Sequence, residues 1–165
     1  MPMSILSNAI HALYESPLPT ALRESEYAFP VIQTIHVLGV AAMAGTIALV
    51  DLNVLGVVLR GQRPARTVAD VLPITWIGFA LAILSGTALF AAQSEKIWGN
   101  TFLQLKFVLL LIAGLNVIVF HTTTRKTIEG WSETVAPPIS ARASAAASLL
   151  LWALVIAAGR YIAYY

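Results

Sequence analysis

AFPVIQTIHVLGVAAMAGTIALVDLNVLGVVL, residues 28–59, is the stretch that decides the fold. Asp51 is its only formal charge. An α-helix crosses a bilayer with about 20 predominantly apolar residues. The run is longer than that, so it is expected to form a membrane-spanning helix. As one continuous helix it would measure about 48 Å at 1.5 Å per residue, and would tilt or project from the bilayer. Pro30 fits its first turn, where a missing N–H costs nothing.

Three further apolar runs follow, at about 71–92, 102–121 and 141–164. Pro73 lies near the start of the second, and Lys106 interrupts the third. The fourth ends in Arg160, Tyr161, Tyr164 and Tyr165, a cluster suited to a membrane interface. Charged residues make up 11% of the chain and hydrophobic ones 58%. A soluble domain carries about 25% charge. The mean hydropathy of +0.79 agrees with this contrast. The expected fold is all-α: an integral membrane four-helix bundle, residues 28–165, preceded by a surface segment, residues 1–27. Ile5, Leu6, Ala9 and Leu13 give that segment a weak amphipathic pattern. It reads equally as an interfacial helix or as a frayed terminus. Residues 1–7 carry no basic region, so no cleavable leader is expected.

Composition narrows the chemistry. There is no cysteine, which excludes disulfides, thiolate metal sites, iron–sulfur clusters and thiol catalysis. The net charge of +2 is small and scattered, so nucleic acid is not an expected partner. The connections between the runs are polar. Arg60, Arg63, Arg66, Arg125, Lys126 and Arg142 gather at the first and third connections, against Arg23, Lys96 and Arg160 on the other side. By the positive-inside rule both termini are expected outside, in an inner (plasma) membrane.

Polar residues inside the runs are costly to keep and mark function by default. Depth counting sorts them into two levels. Gln33, His36, Lys106 and Arg160 belong to the outer one; Asp51, Asn53, Asn116 and His121 belong to the inner one. On the first helix His36, Gly39 and Met43 share a stripe at 100° per residue. On the third, Lys106 and His121 share another. His36 reads as a haem or metal ligand, or as a hydrogen-bonded core histidine. Gly39 leaves room for a flat ligand or for a close helix. Met43 reads as a ligand or pocket wall, or as core packing. Lys106 and Arg160 could pair haem propionates, or snorkel and anchor at the interface. Gly78, Ala82 and Gly86 have small-xxx-small spacing, which favours close helix packing. His121 and Asp51 could form a proton or cation relay, or sit at the inner interface. His36 and His121 lie on parallel helices about 20 Å apart along the axis, so one subunit cannot bring both to a single haem iron. His11 is expected to be solvated.

Several stretches carry a resemblance: ESPLP (15–19), LRES (22–25), FPVIQTIHVLG (29–39) and DLNVLG (51–56), then Phe102 with Lys106 and Asn116 with His121. On these the chain resembles a bacterial four-helix membrane family of unassigned function, with Asn53 in place of the basic residue expected after the DL pair. More distantly it is similar to CopD-like membrane proteins and to membrane-embedded, haem-containing protoporphyrinogen oxidases. That similarity implies a b-type haem at His36, with Lys106 a functional residue beside it. The expected function is electron transfer, with a quinone or a redox protein as partner and a homo-oligomer possible. A small transporter or metal-handling protein, and a non-catalytic subunit of a membrane complex, are the alternatives.

Overall fold

The computed structural model describes residues 5–124, 128–131 and 136–164. Among these, six α-helices and one 3-10 turn account for the fold. α1 (Ile5–Tyr14) and α2 (Pro17–Glu24) are short; α3 (Ala28–Val54), α4 (Pro64–Ile97), α5 (Thr101–Thr124) and α6 (Ile139–Tyr161) are long. All four long helices have the length and hydropathy to cross a membrane. The expected all-α architecture is therefore present, with two N-terminal helices where the sequence pattern suggested one.

Local chemistry sets the helix ends. The Ser25 hydroxyl accepts the Ala28 backbone N–H (3.1 Å) at the start of α3. Asn100 caps α5, its side-chain oxygen accepting the N–H groups of Phe102 (2.8 Å) and Leu103 (3.2 Å). The apolar run of residues 28–59 does not stay helical to its end. α3 stops at Val54, because Gly56 takes the left-handed conformation (φ 75°) that closes a helix C-terminus. The helix is thus about 40 Å long rather than 48 Å. α4 errs the other way and extends past residues 71–92 on both sides, continuing through Pro73.

The long helices pack as two hairpins, α3 on α4 and α5 on α6, joined where α3 meets α6. The tightest crossing is α3–α4, where Gly39 and Gly78 face each other. A Cβ on Gly78 would lie 2.7 Å from the Met43 backbone nitrogen, and one on Gly39 would lie 2.9 Å from Ala82 N. Only glycine lets the two backbones approach so closely. Polar side chains tie the same seams: Thr75 donates to Thr46 across α3–α4 (2.8 Å), and Asn116 and Ser144 exchange hydrogen bonds across α5–α6 (3.1 and 2.8 Å). α4 and α5 meet near their connection, where Phe90 packs edge-on to Phe107 and Trp98.

α1 and α2 lie against α4 at this same end. His11 on α1 pairs with Glu95 on α4 (2.9 Å), so it is not simply solvated, although both side chains remain half-exposed. At the opposite end, Trp131 follows the 3-10 turn Ile128–Gly130 and is buried against Val54, Ala141 and Ala145. Arg125 and Lys126, part of the expected basic cluster, fall outside the described residues.

Candidate intramembrane histidine site

His36 projects from α3 toward α4. Its Nδ1 lies 3.1 Å from the Ala82 carbonyl oxygen and 3.1 Å from Ser85 Oγ. Ser85 spends its own hydroxyl proton on the Leu81 carbonyl, so its oxygen faces the histidine as an acceptor. A carbonyl can only accept. Two acceptors on Nδ1 assign the proton of the neutral ring to that atom, and Nε2 keeps its lone pair. Gly86 admits the ring: a Cβ there would sit 2.9 Å from His36 Cε1. The small-xxx-small spacing on α4 therefore serves two ends. Gly78 receives the α3 backbone, and Gly86 receives the histidine.

Lys106 enters from α5. Its ammonium is close enough to the His36 ring to act on it electrostatically. It rests on Gly159 of α6, whose missing Cβ would lie 3.2 Å from Lys106 Nζ. The structure thus gathers His36, Ser85, Gly86, Lys106 and Gly159 at one level of the bundle, drawing on all four long helices. Sequence depth had grouped His36 with Lys106. Ser85 and Gly159 were missed because a serine and a glycine in apolar helices carry no signal until their neighbours are known.

The other candidates lie elsewhere. Gly39 packs against α4 backbone, the close-helix alternative of the two open to it. Met43, two turns beyond His36, is buried in the α3–α4 seam. Arg160 donates to Tyr164 Oη (2.8 Å) and its guanidinium carbon stands 5.1 Å from the Tyr164 ring centroid. His121 is exposed in the last turn of α5. Asp51 is buried, with the Ser148 side chain of α6 as its polar neighbour. Asp51 and His121 are therefore in different settings, and among the described residues no three His, Asp or Glu side chains cluster as a metal site would require.

These features define a multi-pass, four-span helical membrane protein whose one intramembrane histidine between helices is held in a fixed tautomer. Residues 25–165 match the family described as "Family of unknown function (DUF6644)", and the chain belongs to it. The match runs through all four spans and leaves α1 and α2 outside. No curated protein and no solved structure gives a match.

Proposed function

We propose that this protein holds a b-type haem at the level of His36 and passes electrons through it, to or from a quinone or a redox protein, in a bacterial inner membrane. The observation that carries the reading is the pair of acceptors on His36 Nδ1. Histidines that ligate metals almost always donate their other ring N–H to a fixed acceptor, which sets the tautomer and the ring plane. His36 has that arrangement, and Nε2 is the atom left to ligate. Lys106, within electrostatic range of the ring, is the residue to neutralise a propionate. Arg160, next to Gly159 in α6, would have to leave Tyr164 to join it. Bound haem would supply a one-electron couple tuned by its axial ligand and burial. Met43 belongs to the α3–α4 packing, so the chain offers one protein ligand. The resemblance to CopD-like proteins and membrane protoporphyrinogen oxidases points the same way. The excess of basic residues at the α3–α4 loop supports a reading with that end in the cytoplasm and both termini outside.

Absorbance of protein expressed with ample haem tests this. A Soret band is expected, lost in His36→Ala. Ser85→Ala, which removes one acceptor from Nδ1, is expected to weaken haem binding about 10- to 100-fold while the helices stay folded. A colourless preparation, or an unchanged band in His36→Ala, overturns the proposal.

A further inference from the structure

The N-terminal helix α1 carries apolar side chains that the fold leaves uncovered. None of its residues is buried. Ile5 is 92% exposed and Leu6 52%, and Leu13 is exposed as well. At 100° per residue Ile5, Leu6, Ala9 and Leu13 fall within about 100° of one another, on one face. Ser7, Ile10 and Tyr14 are only partly exposed and share a second face. Ser94 Oγ of α4 donates to the Ile10 carbonyl there (3.4 Å), and His11, on the flank of that face, pairs with Glu95. Asn8, exposed, lies on the side between His11 and the apolar face.

These contacts fix the height of α1. Ser94 and Glu95 lie in the last turn of α4 before Ile97, at the end of a membrane-spanning helix. The polar run Gln93, Ser94, Glu95 and Lys96 is where that helix leaves hydrocarbon. Two exposed aromatic residues, Trp98 after α4 and Tyr27 before α3, stand at the same end of the α3–α4 hairpin, as aromatic side chains do at a bilayer boundary. α1 is therefore held where water gives way to lipid.

Its chemistry selects the occupant of the open face. α1, ILSNAIHALY, contains no Lys, Arg, Asp or Glu, so no charge pattern addresses a protein partner or an anionic head group. The open face is wholly aliphatic and offers no hydrogen-bonding side chain. It extends the apolar surface that the spans already turn to the bilayer, such as the exposed Val31 in the first turn of α3. Amphipathic helices of this kind bury their apolar face about 5–10 Å into the boundary between head groups and acyl chains.

We propose that α1 is an interfacial helix. Docked on α4 through Ile10, Tyr14 and the His11–Glu95 pair, it inserts Ile5, Leu6, Ala9 and Leu13 into the surface of a lipid bilayer and keeps Asn8 in water. The helix lies outside the family match, and its role depends on neither haem nor electron transfer.

Site-directed spin labelling of the full chain in phosphatidylcholine nanodiscs tests this. The chain has no cysteine, so Leu6→Cys, Asn8→Cys and Leu13→Cys each give a single label site. All three side chains are exposed, so the label leaves the packing of α1 on α4 in place. Power saturation compares collisions with oxygen, which concentrates in lipid, and with nickel-EDDA, which stays in water. The oxygen-to-nickel ratio at positions 6 and 13 is expected to exceed that at position 8 by about threefold. Equal ratios at the three positions, as a frayed helix would give, overturn the proposal. So does shielding of positions 6 and 13 from both reagents, the mark of a covering second copy or partner protein.

Discussion

At the scale of single residues, three glycines show that the same missing atom has different consequences. Gly78 faces backbone, Gly86 faces an imidazole and Gly159 faces the tip of a lysine. Backbone cannot yield, and a ring held by two hydrogen bonds yields at their expense, whereas a flexible lysine swings aside. Gly86→Ala is therefore expected to displace His36 from Ala82 and Ser85 and to cost about 1–3 kcal/mol, the usual range for overpacking. Gly159→Ala is expected to be near neutral. Steric-trap or SDS-unfolding measurements on the two variants check the contrast, and equal losses would contradict it. His36 was legible in the sequence because an ionisable ring in hydrocarbon is conspicuous. Its partners were not, since an α4 carbonyl and a serine hydroxyl become a histidine's surroundings only when the helices cross.

Among the elements, Asn53 does the work that hydropathy hides. Its amide donates toward the carbonyls of Val58 (3.3 Å), Leu59 (3.1 Å) and Gln62 (3.3 Å), while its oxygen accepts from Thr67 (3.0 Å). One buried side chain so folds the α3–α4 loop onto the start of α4, and holds Leu59 at a positive φ of 50°. Asn53→Ala is expected to destabilise the protein by about 2–3 kcal/mol, since buried acceptors lose their donor. Asn53→Asp supplies no amide donor and is expected to behave similarly. Faster hydrogen exchange at residues 56–63 would report the loosened loop. This also explains why the end of the first apolar run was misplaced. Val57, Val58 and Leu59 continue the hydrophobic pattern, yet Gly56 and Asn53 have already turned the chain. Hydropathy finds what enters a membrane and says little about where a helix stops. At α4 the polar residues before 71 and after 92 stay helical because the loop and α1 pack against them.

For the whole molecule, the two polar levels inferred by counting residues correspond to two separate places. His36 and Lys106 occupy one half, and Asp51 with Ser148 the other. The sequence did not disclose that Ile128 and Trp131, in the α5–α6 connection, pack back onto the bundle. That segment reads as polar, but Trp131 is only 3% exposed and packs against Val54, Ala141 and Ala145, bringing together α3, α6 and the connection. Trp131→Ala is expected to cost about 3–5 kcal/mol, as for other buried aromatic truncations. A shift in unfolding midpoint with unchanged helical content in detergent would match that expectation. An unaltered midpoint would mean the connection is not part of the folded unit.

A groove between α3 and α6, lined by Ala41, Gly45, Asp51, Trp152 and Ala153, opens sideways onto the exposed apolar faces of two membrane-spanning helices. A compound reaching it is drawn from the lipid phase, where an amphiphile is already concentrated by partitioning. The relevant abundance is then a mole fraction in the bilayer rather than a molarity in the buffer. For any compound that binds there, adding empty lipid at fixed protein should weaken apparent binding by dilution alone. Shortening its apolar tail should weaken it too, even where the tail touches no part of the protein.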